Sequence, residues 1–210
     1  TGNLGSPQLA VVQKWHDTCA KAVSDHSDRF VAFATASATG GKPFLDEIGR
    51  AVTELGMKGV HISARPDGVF LDDKALWPFY EKICELDVPL DIHVETYPKG
   101  FDALLAPYIL SYVMAREFDI TATVFRICLG GVLEAFPDLK LIVNHSGGGV
   151  TAVAERMDYY VGLCGEDTYR GEALTSQHWR TYFDKLYFNI AGRGPGIGTL
   201  KCALTCISPD

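Results

Sequence analysis

Two histidines stand at the carboxyl ends of short apolar runs, His93 in "VPLDIHVE" (88–95) and His145 in "LKLIVNHSGGGV" (139–150). An imidazole at the end of a rigid strand suits two tasks near neutral pH, ligation of a divalent metal and transfer of a proton. For either residue alone, the competing reading is a hydrogen-bonded histidine that serves only the fold; two at equivalent strand ends favour a metal ligand plus a general base. The three glycines after His145 lack the spacing of a dinucleotide or P-loop motif, so phosphate binding is the weaker reading. They read instead as a loop that passes close to a substrate and bends into a helix, with Thr151 helping to cap its first turn. His61, in "KGVHISAR" (58–65), shares a face with Ser63 and Arg65 by alternation, as a lining residue or a packed core histidine. Arg65 and Arg193 follow strand ends and are candidates to bind a substrate carboxylate, which a guanidinium does bidentately; the alternative for each is a surface ion pair.

Such residues need elements to hold them. "RFVAFATAS" (29–37), "KGVHISAR" (58–65), "VPLDIHVE" (88–95), "LKLIVNHS" (139–146) and "KLYFNIAG" (185–192) read as buried strands, being short and rich in aliphatic, aromatic or β-branched residues. Helical patterns lie between them. In "PFLDEIGRAVTELG", Leu45, Ile48, Val52 and Leu55 recur at three- and four-residue steps, and Gly56 supplies a stop. "LDDKALWPFYEKICELD" opens acidic, as a helix dipole favours, and Pro78 predicts a helix that starts within a few residues of it or is kinked. Strand alternating with helix predicts an α/β protein with a parallel sheet, either a (β/α) barrel or an open doubly wound sheet. Polar and small residues gather at the carboxyl ends of the strands, the end at which such folds build sites.

Composition narrows the function classes. With 210 residues and 47% hydrophobic content, the chain reads as one domain over 1–210 with a sizeable core. The formal net charge of -7 gives no electrostatic reason to bind nucleic acid or an anionic membrane. Six cysteines spread through apolar segments read as reduced core thiols rather than a disulfide framework or CxxC zinc units. "TGNLGSPQLAV" lacks the pattern of a signal peptide and no apolar run has the length of a membrane span, which predicts a cytoplasmic location. His16 and His26 fall in or near the first helix, where solvated or capping roles are expected. His178 precedes a strand and reads as a surface or supporting residue.

Several stretches together carry a resemblance. "GVLEAFPDLKLIVNHSGGGVTAVAERMDYY" resembles the amidohydrolase-2 segment in which "GVLERFPxLK" leads a strand ending in histidine and glycines, in the group related to aminocarboxymuconate-semialdehyde decarboxylase. "SDRFVAFAT" is similar to the family's "PDRFxxxAxVP", "AVTELGMKGVHIS" to "ELGxKGVxI", and "LDDKALWPFYEKICELDVPLDIHVE" to "LDDPxxxPxYxxxxELxxPVxxHP". The match runs from about residue 10 to the carboxyl terminus. The resemblance implies a (β/α)8 TIM barrel with a divalent metal, zinc first and manganese second, and no organic cofactor. It implies that His93 is a metal ligand and that His145 acts in acid/base chemistry, with the glycines leaving room for substrate. It also implies a small-molecule carboxylate substrate and a homodimer.

Two family features are missing from this sequence: the opening HxH or ExH pair of ligands and the aspartate of a closing "GTDxP". Glu95 and Tyr97 stand where the family more often has Pro and an aromatic or basic residue, which leaves the pocket wall open. The chain thus reads as the central part of a longer protein, an incomplete barrel with two exposed sheet edges and one metal ligand of the three or four that zinc needs. The expected function is metal-dependent, non-oxidative decarboxylation of an unsaturated or aromatic carboxylate. The alternatives are hydrolysis at the same site and a non-catalytic barrel scaffold or binding protein.

Overall fold

The computed structural model describes residues 8–94, 98, 100, 107–169, 175–190 and 196–209. All five expected strands form: β1 (Ala34–Thr35), β2 (Val60–Ser63), β3 (Leu90–His93), β4 (Leu141–Val143) and β5 (Tyr187–Phe188). They make one parallel sheet in the order β1-β2-β3-β4-β5. Before β1 lies helix α1 (Leu9–Asp25). The crossovers carry α2 (Lys42–Thr53), α3 (Trp77–Leu86), α4 (Arg116–Leu129) with the short α5 (Val132–Ala135), and α6 (Val150–Tyr169) with α7 (Trp179–Phe183). Helix α8 (Ile197–Ala203) follows β5.

Alternation divides the sheet into two chemically distinct faces. Ala34, Val60, Ile62, Leu90, Ile92, Leu141 and Val143 are all buried. With Ile48, Ala51, Phe79, Ile83, Ile120, Val124 and Ile127 of α2, α3 and α4 they belong to one hydrophobic cluster. Each such Val, Leu, Ile or Phe side chain, fully buried, contributes about 1.5–3 kcal/mol. The register places Thr35 beside His61, His61 beside Asp91, Ser63 beside His93 and Asp91 beside Ile142, so the opposite face is polar across β1, β2 and β3 and only half-buried.

Local chemistry sets the helix starts. Pro43 falls at the amino end of α2 and Pro78 at that of α3, where a missing N–H costs nothing. The acidic residues expected in the first turn of α3 lie ahead of it. Asp73 accepts from the Ala75 N–H at 2.8 Å and caps a 3₁₀ turn, Lys74–Leu76, while Asp72 accepts from Arg126 Nε at 2.7 Å. The thiols of Cys19, Cys84, Cys128, Cys202 and Cys206 are free, as expected, but of these only Cys128 is buried in the core; the others are half-buried.

His16 departs from its expected solvated or capping role. It is fully buried, with Nδ1 2.6 Å from Glu47 Oε1 and Nε2 3.0 Å from both the N and the O of Thr35. Thr35 lies on the edge strand. The neighbouring Ala34 N–H turns inward, to the Gly59 carbonyl, so Thr35 turns its backbone groups outward, and His16 covers the edge there. Arg50 completes the cluster, with Nε 2.8 Å from Glu47 Oε2 and Nη2 2.8 Å from Oε1. The helical period could not show this pairing, because His16 and Glu47 belong to different helices 31 residues apart.

Burial alone pushes the Glu47 carboxyl up, but hydrogen bonds from Arg50, His16 and Gln13 and the charge of Arg50 together outweigh it and hold the group below the usual carboxylate range. A carboxyl lowered on folding adds stability above its unfolded pKa, and that contribution is lost as pH falls through the folded value. Glu47→Gln is therefore expected to cost about 3 kcal/mol at neutral pH, as for one partner of a buried ion pair. Urea denaturation of both proteins should show the difference shrinking below about pH 4.5, where unfolded Glu47 protonates. A difference that stays constant into the acid range contradicts this role.

Candidate active site

Three imidazoles meet on the polar face of the sheet: His61 within β2, His93 at the carboxyl end of β3 and His145 just beyond β4. The ring centroids of His61 and His93 are 5.6 Å apart, and those of His93 and His145 are 5.8 Å apart with the planes nearly perpendicular. In each ring Nδ1 meets an oxygen. His61 Nδ1 is 2.7 Å from Asp91 Oδ2, His93 Nδ1 is 3.0 Å from the Val94 carbonyl, and His145 Nδ1 is 2.7 Å from Glu117 Oε1. Carbonyls and carboxylates only accept, so Nδ1 carries the hydrogen and Nε2 is left with the lone pair. That is the tautomer a metal ligand or a general base requires.

Asp91 organises the floor of the cluster. Its second oxygen, Oδ1, accepts from Asn144 Nδ2 at 2.7 Å, and the same amide nitrogen donates to the Ile92 carbonyl at 2.9 Å. His93 is held below the usual imidazole range. Burial is the largest cause; the hydrogen bond to Val94 opposes it, and the charges of His61, His145 and Arg116 reinforce it. A neutral imidazole follows near pH 7, and only the neutral form binds a metal. The donor set therefore suits a divalent cation in kind but not in number: among the described residues, no group of three or more His, Cys, Asp or Glu could hold a metal.

The turn after β4 is strained and tightly fastened. His145 and Ser146 have φ of 55° and 53°, in the left-handed region that costs non-glycine residues about 1 kcal/mol or more each. Three backbone hydrogen bonds hold the turn: Ser146 N–H to the Asn189 carbonyl at 2.8 Å, Gly147 N–H to Asn144 at 3.0 Å, and Gly148 N–H to His145 at 2.9 Å. Gly148, at φ 66°, lies against α4, where an added Cβ would overlap the Glu117 carbonyl oxygen and the Ile120 side chain. The Gly149 N–H donates to Thr121 Oγ1 at 2.7 Å, and that hydroxyl donates to the Glu117 carbonyl at 2.6 Å. At Gly148 the missing side chain thus makes room for a helix, where the sequence suggested room for substrate. Thr151 does not make the expected cap, since its hydroxyl lies 3.5 Å from Cys202 Sγ.

The structure thus brings together His61, His93 and His145. Arg65 takes a different place: it forms an ion pair with the fully buried Asp119, and its guanidinium lies 4.4 Å from the centroid of the Phe70 ring. Arg193, Glu95 and Tyr97 lie outside the described residues. His178 is exposed and caps α7, accepting from the Arg180 N–H at 3.4 Å, as its surface reading implied. Sequence reasoning passed over Asp91, Asn144 and Glu117, the residues that orient the rings or the floor beneath them. Asp91 had a signal, a charge two residues before His93 and hence on the same face of a buried strand. Glu117 had none, being 28 residues from His145 on a helix.

The amidohydrolase family profile (Amidohydro_2) matches residues 5–192. This chain belongs to the amidohydrolase family. It is 26% identical over 160 residues to 2-amino-3-carboxymuconate-6-semialdehyde decarboxylase of Dictyostelium discoideum, covering 75% of this chain and 44% of that protein. With decarboxylase orsB of Emericella nidulans it shares 29% identity over 165 residues, 72% of this chain and 49% of that one. Among solved structures, 5-carboxyvanillate decarboxylase LigW from Sphingomonas paucimobilis superposes with a TM-score of 0.84 at 21% identity, over 95% of this chain and 59% of its own. The chain spans about half the length of the curated relatives it matches. Its five parallel strands are a sector of the (β/α)8 barrel of this amidohydrolase group, and the polar face bearing the three histidines is the barrel interior.

Gly148→Ala tests the packing of the turn. The substitution should cost about 2 kcal/mol or more from strain and overlap, and should displace the His145 ring from Glu117. Thermal denaturation and a crystal structure of the variant check both effects; wild-type stability with an unmoved ring contradicts the packing argument.

Proposed function

We propose that the protein containing this chain is a metal-dependent, non-oxidative decarboxylase of an aromatic or unsaturated carboxylate. The observation that carries this reading is the row of three imidazoles with Nδ1 tied to oxygen, two of them at the positions the sequence assigned to metal and base. The relatives support it: beyond the two above, gamma-resorcylate decarboxylase of Rhodococcus jostii is 27% identical over 163 residues. Solved neighbours described as bound to manganese, among them a dihydroxybenzoic acid decarboxylase from Polaromonas, support a divalent ion, and manganese joins zinc as the proposed metal. No helix among the described residues is long and apolar enough to cross a membrane. A cytoplasmic homodimer acting on small molecules, without nucleic acid or membrane partners, completes the proposal, with residues 1–210 forming part of one barrel domain.

His93 would hold the ion through Nε2, together with ligands outside the described cluster. The ion would supply Lewis acidity at the substrate's oxygens. In decarboxylation the electron pair of the breaking carbon–carbon bond stays on the carbon that carried the carboxylate, and a proton replaces the CO2 that leaves. His145 Nε2 is the group to hold and deliver that proton, because its lone pair is oriented and its ring lies against His93. His61, with Nε2 as its acceptor nitrogen, would meet a hydroxyl or acid proton of the substrate. Arg193 is the proposed anchor for the carboxylate; Arg65 joins it only where a substrate displaces Asp119.

One further reading has its own support. A 2-keto-4-carboxy-3-hexenedioate hydratase of Sphingobium is 30% identical over 160 residues. Hydration uses the same proton transfer at carbon without loss of CO2, and fold alone does not separate the two reactions.

In the full-length protein, His93→Ala should lower bound manganese or zinc, measured by elemental analysis, and CO2 release from hydroxybenzoates together. His145→Asn should keep the metal and lose roughly 100-fold or more in turnover with the fold intact. Unchanged metal content in the first variant removes His93 from the metal site. Wild-type turnover in the second removes His145 as the base, and double-bond hydration without CO2 release by the unaltered protein points to the hydratase reading.

A further inference from the structure

Glu117 is joined to the His145 turn twice. Its carboxylate accepts from His145 Nδ1 at 2.7 Å, and its backbone carbonyl accepts from Thr121 Oγ1, which in turn accepts from the Gly149 N–H. Gly148 packs directly on the same carbonyl, leaving no space for a side chain. The first turn of α4 and the turn that bears His145 are therefore one rigid unit, although Glu117 and His145 lie 28 residues apart. The side chains of both are more than two-thirds buried, His145 at 19% and Glu117 at 29% exposed, so water competes weakly for the bond. His145 itself sits at φ 55°, a conformation that a histidine keeps only where its surroundings impose it.

We infer that Glu117 is a positioning residue for His145: by accepting the Nδ1 hydrogen, it fixes both the plane of the ring and the tautomer that leaves the lone pair on Nε2. The inference rests on the reading of His145 as the base. A carboxylate on a ring nitrogen selects one tautomer, because only Nδ1–H can meet it. Without it, Nδ1 and Nε2 compete for the hydrogen, and part of the population presents the wrong nitrogen to the substrate. The neighbouring His61 is set in the same way by Asp91, and His93 by the Val94 carbonyl.

The test compares Glu117→Ala and Glu117→Gln with wild type in the full-length, manganese-loaded protein for turnover, and in its zinc-loaded form for nitrogen-15 NMR of the histidine rings at one neutral pH. Glu117→Ala should shift the His145 nitrogen resonances toward the Nε2–H tautomer. It should also lower kcat by about 10- to 100-fold, the usual consequence of removing a carboxylate partner from a working histidine, with KM changed far less. Glu117→Gln keeps an oxygen acceptor of the same shape and should recover the Nδ1–H tautomer and part of kcat. A purely structural role predicts a lower melting temperature, an unchanged tautomer and full turnover per folded molecule, and that result overturns the inference. If the wild-type protein decarboxylates none of the substrates, the base reading fails, and the tautomer shift alone decides whether Glu117 positions the ring. If Glu117→Ala does not fold, Glu117→Gln decides: the Nδ1–H tautomer kept with kcat lowered per folded molecule supports positioning through the acceptor, and full turnover per folded molecule overturns it.

Discussion

Parallel pairing in fixed register across β2, β3 and β4 is the constraint on which the rest of the site depends. Residues two apart on a strand share a face, and this register puts His61 level with Asp91 and His93 level with Ser63. A slip of one residue would turn the polar set into the helix-packed core and the aliphatic set into the barrel interior. The burial of Val60, Ile62, Leu90, Ile92, Leu141 and Val143 against the helices makes such a slip costly, so the apolar face holds the chemistry of the polar face in place.

On that frame each imidazole receives its own oxygen, and the three oxygens come from different sources: a neighbouring strand, the adjacent peptide and a crossing helix. The variety matters physically. Asp91 and the Val94 carbonyl are set by the sheet itself, whereas Glu117 requires α4 to approach the β4 turn closely enough that only glycine fits at position 148. His145 is therefore the most conditional of the three, and it is also the ring whose proposed role asks most of its orientation. Positive φ at His145 and Ser146 adds stored strain at this point, held by backbone hydrogen bonds to Asn144 and Asn189.

Much of this was legible in the sequence. All five strands were readable from short aliphatic runs, and the strand-end positions of His93 and His145 followed from the same pattern. Motifs matching a known family supplied the barrel. What the sequence did not disclose were pairings between elements distant along the chain. His16 looked like a helix-surface residue because its period says nothing about Glu47 on the next helix or about the outward-facing backbone of Thr35. Arg65 looked like a substrate anchor because alternation put it at the mouth, while the buried Asp119 that takes its charge lies on α4. Of the three glycines, Gly148 makes a close approach to helix α4, a partner that the sequence pattern did not show.

The account's central claim is that His93 ligates a catalytic divalent metal with the His145 ring directly beside it. The most direct measurement is anomalous diffraction at the manganese absorption edge from crystals of the full-length, manganese-loaded protein. The account predicts a peak about 2.0–2.3 Å from His93 Nε2, inside the barrel mouth, with His145 Nδ1 still on Glu117. A fully occupied metal peak away from His93, or a metal-loaded crystal in which the His93 Nε2 contacts only protein, would contradict it.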